Sequence, residues 1–333
     1  MAFHCLRFYS HPATVAPVNH IAIGMDALDI HWLAPTDSPP RELSRYTGYL
    51  AYQQHPAYGD ALHDFNGKCL RALILHQQQP IGWVQCSQRT IARTLHILLA
   101  MRGPVWFNES ISNDLKAAAY RALNASCPLP RPRLLLWMPE SPDHEPLHLA
   151  GLHRIVTGYS TPLLDLNQSE NQLLAAMDGK WRNQLRSSQK HQLACVPVGL
   201  QFEHYQWLLE EEMQQRQRIG YKAFSPALVS SYQAYAGQNS LLILRADDGK
   251  DTVAGMLCLI HGHSATYHIG WSNPLGKEKS AHNLLLWESM RRLKARGIRW
   301  FDLGGVNTQD GAGLTRFKLG SGAQLRTLDG MYQ

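Results

Sequence analysis

The chain has 333 residues, of which 44% are hydrophobic and 17% charged. This length exceeds an average domain of roughly 100–200 residues and predicts two hydrophobic cores. No apolar run reaches the about 18 residues that a membrane helix needs, and the start, MAFHCLRFYSHPATVAP, lacks the order of a signal peptide. We therefore expect a cytoplasmic protein without a membrane span, and separately we predict a monomer.

Cysteine and histidine patterns do not indicate a disulfide framework or a metal centre. The six cysteines are scattered without short spacings, in a chain too large to need covalent cross-links, so we interpret them as buried thiols. Seventeen histidines include no HExxH motif. His261 and His263 form the closest pair, but alternate residues of a strand merely share a face. We expect no metal site.

The charge is mildly basic overall and uneven along the chain. Lys and Arg number 32 against 26 Asp and Glu, a formal net charge of +6. Basic residues concentrate between Lys180 and Lys190 and between Lys277 and Arg299. Both stretches are candidate docking sites for a polyanion such as RNA or a diphosphate. The alternative is that they are solvated helix faces.

In chain order, the first half predicts a hairpin, a strand, a helix and a strand. The hairpin is RALILHQQQPIGWVQCSQ (Arg71 to Gln88), two apolar strands joined by a polar turn that includes Pro80. The strands LHILLAM and GPVWF follow. A helix is predicted from Asn113 to Leu123, with Ser112 or Asn113 as N-cap, and then the strand RLLLWM.

The second half repeats this order. SLLILRADDGKDTVAGMLCLIHGH (Ser240 to His263) is a second hairpin, followed by the strand TYHIGW, a helix from about Ala281 to Arg296 and the strand RWFDLGG. Duplication of one small domain explains the repeat, with a join in the turn-rich loop from Thr157 to Pro162. Mixed sheets with helices folded against them predict an α+β architecture.

Between the halves, a helix is predicted from Asn167 to Lys190, with Ser169 as N-cap. Arg182, Arg186 and Lys190 fall at i, i+4 and i+8 on one face of it, with Lys180 at the edge. No acidic residue occurs from Lys180 to Cys195. This stripe could hold phosphate groups; the alternative is an ordinary surface face.

The end of the chain is the strongest candidate for chemistry. The strand after the second-half helix ends in Asp302, before Gly304 and Gly305, and a short loop leads to GLTRFKLGSGAQ, where Phe317 precedes Lys318. A cation beside glycine-rich backbone can stabilise a developing oxyanion. The alternative is structural: Phe317 as a core anchor and Lys318 as a solvent-facing residue of a terminal strand.

Three segments resemble the Fem family (FemABX) of peptidyltransferases, and more loosely the acetyltransferase-like proteins grouped with it. They are AHNLLLWESMRRLKARGIRWFDLGGVN, GLTRFKLGSGAQ and, upstream, GKWRNQLRSSQK. QQHPAY and RGPVWF are weaker matches in the first half. The resemblance implies two tandem GNAT-like domains, at residues 1–157 and 158–319, with the second containing the catalytic motif. The strand within 320–333 would pack back onto the first domain.

The family forms amide bonds: an aminoacyl ester on tRNA is passed to an amine, on a peptidoglycan precursor or an antibiotic or other natural-product intermediate. The resemblance implies that aminoacyl-tRNA is a co-substrate and that no cofactor is needed. Lys318 would stabilise the tetrahedral intermediate beside Phe317, and Asp302 is a candidate proton acceptor. The candidate substrate-binding residues are Lys180, Arg182, Asn183, Arg186, Tyr221 and Arg316.

Two rival functions remain open. An acyl-CoA-dependent N-acyltransferase would bind the pyrophosphate of CoA on backbone amides at a helix N-terminus, through a glycine-spaced loop. SNPLGKEKSAHN, at the equivalent place, has one glycine, Gly276, and lacks that spacing. The other rival is a non-catalytic protein that binds tRNA or a peptide on the same scaffold. Salt dependence of binding separates an RNA binder from a CoA enzyme.

Overall fold

The computed structural model describes residues 28–34, 36–140, 143–219, 227–306 and 311–333, which form two mixed sheets with helices packed against them. The strands are β1 (Leu28–Trp32), β2 (Lys68–His76), β3 (Gln79–Ile91), β4 (Leu95–Met101), β5 (Val105–Trp106), β6 (Arg133–Met138), β7 (Arg154–Val156), β8 (Ser160–Asp165), β9 (Ala194–Pro197), β10 (Leu241–Asp248), β11 (Asp251–His261), β12 (Ser264–Ser272), β13 (Trp300–Asp302), β14 (Gln324–Thr327) and β15 (Met331–Tyr332). The helices are α1 (Arg41–Arg45), α2 (Pro56–His63), α3 (Asn113–Ser126), α4 (His144–Leu149), α5 (Glu170–Ala176), α6 (Gly179–Lys190), α7 (Phe202–Ile219), α8 (Ala227–Ala236), α9 (Pro274–Glu278), α10 (Ala281–Ala295) and α11 (Ala312–Gly320).

The two sheets have the same strand arrangement. The first runs β1-β2-β3-β4-β6-β15-β7, with β5 paired to β3, and the second runs β9-β10-β11-β12-β13-β8-β14. Each contains one parallel pair at the same place, β4 with β6 and β12 with β13. A helix, α3 or α10, connects the members of each parallel pair, as a crossover connection requires. The predicted duplication of hairpin, strand, helix and strand is confirmed.

Local signals placed several elements correctly. Ser112 caps α3 by accepting a hydrogen bond from the amide of Leu115, and Ser169 forms a capping box with Gln172 at the start of α5. The first hairpin turns at Gln77 and Gln78, both with positive φ, rather than at Pro80, which lies inside β3. A two-residue turn of this kind matches the right-handed twist of the strands.

The helix predicted from Asn167 to Lys190 is two helices. Met177 adopts an extended conformation and buries its side chain, which ends α5, and Asp178 precedes α6. The amide of Asp178 donates to the carbonyl of Gly320 at 2.9 Å. A contact with the end of the chain therefore breaks the helix, and local periodicity does not contain that information.

The three largest hydrophobic clusters of the described residues lie on and between the two sheets. One lies on the first sheet around Trp137 and Tyr120, and one lies between the second sheet and α10 around Phe301. The third joins the halves, because Tyr58 on α2 packs with Tyr232 on α8 and with the other face of the second sheet. β15, at residues 331–332, pairs with β6 and β7 in the first sheet, whereas β14 pairs with β8 in the second.

None of the helices in the described ranges combines the length and the apolar character needed to cross a bilayer.

Candidate active site

The candidate site lies where β12 and β13 separate. The two strands pair in parallel from Ser264 opposite Trp300 to Thr266 opposite Asp302, and β13 then ends while β12 continues. Gly304 follows with a φ of 75°, in the left-handed region that glycine adopts without a steric penalty. The turn opens a gap between the strands, and α11 places a side chain in it.

That side chain is Lys318, which is only 6% exposed. Its Nζ donates to the carbonyl of Gly305 at 2.9 Å and to that of Gly304 at 3.3 Å, and lies 5.9 Å from the centre of the Tyr267 ring. An ammonium has three N–H donors, so one is left over for a substrate oxygen. Burial lowers the pKa of Lys318 to about 8, against the opposing charge of the Asp302 carboxylate.

The start of α6 holds α11 in position. Trp181 Nε1 donates to the carbonyl of Phe317 at 3.0 Å, and the two rings lie 6.1 Å apart. On its other side Phe317 faces His282, at a ring distance of 6.0 Å. Phe317 is thus half-buried between two helices, and Lys318 is buried on a helix. The alternative of a solvent-facing Lys318 on a terminal strand is wrong.

Asp302 is fully buried and saturated with hydrogen bonds. Its Oδ2 accepts from Tyr49 at 2.6 Å and from Arg102 Nη1 at 2.5 Å, while Oδ1 accepts from the amide of Gly304 at 2.7 Å and from the Thr161 hydroxyl. Burial alone would raise the pKa of Asp302, but the Arg102 guanidinium and these hydrogen bonds hold it below its usual range.

A carboxylate with a depressed pKa and occupied lone pairs is a poor proton acceptor. The structure therefore argues against Asp302 as a general base. Its hydrogen bond to the Gly304 amide instead fixes the turn that contacts Lys318. The sequence placed Asp302 at the correct strand end but did not show its three side-chain donors, Tyr49, Arg102 and Thr161, which come from distant parts of the chain.

Several residues of this site were not found from the sequence. Arg102, from the loop after β4, bridges Asp302 and Glu140, with Nη2 at 2.9 Å from Glu140 Oε1 and Nε also on that carboxylate. Arg102 lies within RGPVWF, a segment noted for its resemblance but given no role. Tyr49, Glu140 and Thr161 have no local sequence signal, since their partners are distant in sequence.

The structure divides the basic stripe on α6. Trp181, Leu185 and Ser188 face inward. Arg182 is half-buried, and its Nη1 donates to the carbonyls of Leu174 and Ala175 at 3.2 and 3.1 Å, at the end of α5.

Apart from Ser187 and Gln189, the exposed side chains on α6 are Lys180, Asn183, Arg186 and Lys190. Most of the Arg182 guanidinium is therefore not available to a bound polyanion. The exposed surface of α6 thus differs from the predicted stripe of Arg182, Arg186 and Lys190 at i, i+4 and i+8. We call these four residues the α6 basic face.

Of the two remaining predicted substrate-binding residues, the structure describes Arg316. Arg316 is exposed on α11, with Nε donating to the carbonyl of Ala312 at 3.2 Å in the same helix. Tyr221 falls outside the described residues. Within the described part of the chain, no group of three or more His, Cys, Asp or Glu side chains is arranged to hold a metal ion.

The turn between β12 and α10 uses its backbone amides internally. Asn273 Oδ1 accepts from the Gly276 amide at 2.8 Å. The amides of Lys277, Lys279, Ser280 and Asn283 also donate to carbonyls within the turn. A Cβ at Gly276 would lie 2.2 Å from the Val253 carbonyl, so this glycine is needed for packing. These amides are engaged where an acyl-CoA enzyme would present them to pyrophosphate.

Comparisons with known proteins agree with this fold. Residues 179–319 match the family model described as an acetyltransferase (GNAT) domain. The crystal structure of FemX is similar with a TM-score of 0.74 at 12% identity, covering 91% of this chain and 96% of that chain. No curated protein sequence matches the chain.

Two further structures have the same fold. One is a conserved protein of unknown function from Bacteroides thetaiotaomicron VPI-5482, with a TM-score of 0.57 at 13% identity, covering 88% of this chain and 94% of that chain. The other is the C-terminal domain (DUF2156) assigned to a lysylphosphatidylglycerol synthetase from Agrobacterium fabrum, with a TM-score of 0.53 at 14% identity, covering 88% and 90%. The predicted fold class, two tandem GNAT-like domains as in Fem proteins, is confirmed, and the matched domain supports acyl transfer as the type of activity.

Proposed function

We propose that the protein is an aminoacyltransferase that forms an amide bond between an aminoacyl group carried on tRNA and an amine acceptor. The observation that supports this most directly is the buried Lys318, held by two backbone carbonyls at the strand separation with one N–H left for a substrate. The acceptor class is a peptidoglycan precursor or an antibiotic or other natural-product intermediate.

In the proposed reaction, the neutral acceptor amine attacks the ester carbonyl of the donor and a C–N bond forms. The carbonyl oxygen becomes an oxyanion, which the Lys318 ammonium stabilises by charge and hydrogen bonding. Collapse breaks the ester C–O bond, and the proton lost by the amine passes to the departing ribose oxygen. Phe317, packed between Trp181 and His282, limits access of water from that side.

The α6 basic face supports a tRNA donor. This face lies on α6, the same helix that holds α11 in position. Trp181 on α6 donates a hydrogen bond to the Phe317 carbonyl, next to Lys318. A polyanion bound along α6 would therefore approach the site with its phosphates on Lys180, Arg186 and Lys190. The engaged amides of the turn from Asn273 to Asn283 argue against CoA as the donor.

An acyl-CoA-dependent N-acyltransferase is the second candidate, favoured by the match to an acetyltransferase domain model. The test is to incubate the protein with a pool of aminoacylated tRNAs or with acyl-CoA, each with a cell extract as the source of amine. We expect loss of the aminoacyl ester, dependent on both protein and extract, and no loss of acyl-CoA.

Consumption of acyl-CoA instead would establish the second candidate. If neither donor is consumed but tRNA still binds with a steep salt dependence, the protein is a non-catalytic binder. Lys318→Met is the matched control, since it removes the charge and retains a side chain of similar length. The donor loss must disappear with this variant if the reaction occurs at the proposed site.

A further inference from the structure

The separation between β12 and β13 belongs to the second domain, but the residue that secures it comes from the first. Arg102 follows β4, and its guanidinium reaches Asp302 at 2.5 Å, 200 residues further along the chain. Asp302 binds the Gly304 amide at 2.7 Å, and the carbonyls of Gly304 and Gly305 bind Lys318 Nζ. These contacts form an unbroken path from the first domain to Lys318.

We propose that Arg102 is a positioning residue for Lys318, which holds the Gly304–Gly305 turn in place through Asp302 and so makes the site depend on correct docking of the two domains. This rests on the proposed function, in which Lys318 is the residue that acts on the donor carbonyl.

Burial and backbone conformation support a dedicated role for Arg102. The side chains of Arg102 and Asp302 are 5% and 0% exposed. Removing one partner of such a pair leaves an uncompensated charge in the interior. Arg102 also has a φ of 61°, in the left-handed region that a non-glycine residue seldom adopts. This backbone conformation occurs at the point where the chain directs the guanidinium across the domain boundary.

Arg102 is held between two acidic groups, which restrains its orientation. Glu140 accepts from both Nε and Nη2, leaving Nη1 for Asp302. The Arg102 guanidinium also lies 5.1 Å from the centre of the Tyr49 ring, and the Tyr49 hydroxyl donates to the same Asp302 oxygen. A lysine cannot reproduce this fork, because its three donors radiate from a single nitrogen.

The pKa of Lys318 is the appropriate readout because it can be measured without knowing the substrate. The titratable or charged groups nearest Lys318 are Asp302 on β13, Tyr267 on β12, His282 on α10 beside Phe317, Asp178 before α6 beside Gly320, and the Tyr159 ring beside Gly305. Of these, Asp302 is the one whose charge raises the pKa of Lys318 against the effect of burial.

The experiment is competitive acetylation of the intact protein with a trace of acetic anhydride from pH 6 to 11, with Lys318 followed by peptide mass spectrometry. In the native protein we expect Lys318 to titrate near pH 8. In Arg102→Met a nearby cation is lost and the turn loosens, so both changes raise the pKa of Lys318 towards its usual value of about 10.4. Labelling at pH 7 should fall by about tenfold for each unit of that rise.

Asp302→Asn gives the opposite shift. It removes the carboxylate that favours the ammonium and leaves Arg102 paired with Glu140, so the pKa of Lys318 should fall below 8. A general loosening of the fold would instead move Lys318 towards its solution value in both variants. Opposite shifts therefore exclude a general loosening of the fold as the cause.

Lys116→Met is the matched control, since Lys116 is half-buried and forms an ion pair with the buried Asp143 within the first domain. It should leave the Lys318 titration unchanged.

If Arg102→Met does not fold, Arg102→Lys is measured, with an intermediate shift expected. An unchanged Lys318 titration in the folded Arg102 variant overturns the proposal. If the shifts occur but Lys318→Met still turns over the donor, the proposed function fails while the positioning role stands.

Discussion

At the residue scale, Lys318 combines two properties that are hard to obtain together. Burial brings its pKa down to about 8, yet the carbonyls of Gly304 and Gly305 and the charge of Asp302 all favour the ammonium. The ammonium therefore predominates at pH 7 and can stabilise an oxyanion. It sits in an environment of low polarity, where each charge interaction is stronger than in water.

We expect Lys318→Met to lower the turnover of the true donor by about 10²-fold or more, because one oxyanion donor is lost. The fold should be retained, as shown by circular dichroism and by the denaturation midpoint. The measurement is single-turnover loss of the aminoacyl ester under saturating donor. More than a tenth of native turnover in the variant would rule out the oxyanion role.

The pH dependence tests the same residue in a different way. The ammonium is the active form, so its contribution should decline as the pH rises through about 8. The acceptor amine becomes a better nucleophile over the same range, which obscures this decline in the raw profile. Dividing the native rate by the Lys318→Met rate removes the effect of acceptor protonation, which is the same in both. We expect this ratio to fall above pH 8. A ratio that increases with pH would indicate that the neutral amine of Lys318 acts as a base.

At the element scale, α6 performs two tasks with different residues. Its buried side, through Trp181, fixes α11 and with it Phe317. Its exposed side forms the α6 basic face. Arg182 belongs to neither, because it caps the carbonyl end of α5. A basic side chain at a helix C-terminus satisfies carbonyls that have no partner within their own helix.

The two arginines of α6 should therefore respond differently to substitution. Arg186→Glu should weaken tRNA binding and reduce the slope of log affinity against log salt by roughly one unit, if the side chain contacts one phosphate. Arg182→Met should leave that slope nearly unchanged and instead lower stability by about 1 kcal/mol. Filter binding at several salt concentrations and urea denaturation measure the two effects. Equal salt slopes for native and Arg186→Glu proteins would assign α6 to a solvated surface.

At the scale of the whole molecule, the two domains share a buried interface rich in neutral polar rings. Tyr52, from the first domain, lies 5.8 Å from His261 and 6.3 Å from His268 by ring centres. Burial lowers the pKa of His261 to about 3 and that of His268 to about 4. Both are therefore uncharged at neutral pH, and protonating either one within the folded interface is unfavourable.

This predicts a loss of stability in mild acid. Below pH 6.5 the unfolded chain takes up protons on these histidines, whereas the folded protein does not until about pH 4. The unfolded state thus binds more protons in this window, and the free energy of unfolding should fall as the pH falls, by about 1.4 kcal/mol per pH unit for each histidine.

Urea unfolding at intervals between pH 7 and 4 measures this slope. His261→Gln should reduce this slope by about the contribution of one histidine. His191 is exposed, and the control variant His191→Gln should leave the slope unchanged. A slope that is the same in native and His261→Gln proteins would mean that His261 is protonated in the fold.

The sequence by itself determined the architecture of each half. The alternating and continuous apolar runs located the hairpins and the parallel strands, the caps Ser112 and Ser169 marked helix starts, and the repeated order implied a duplication. These are local signals, set by backbone preferences and hydrophobic periodicity. The motif around Phe317 and Lys318 likewise identified the segment that enters the strand separation.

Only the tertiary structure decided what these residues touch. The Gly320 carbonyl broke the predicted helix before α6, and the end of α5 took Arg182 away from the basic stripe. Asp302 was located from the sequence, but its partner Arg102 lies 200 residues away. A residue's charge state and role depend on such distant partners, because burial and neighbouring charges set its pKa, and a linear pattern does not specify those contacts.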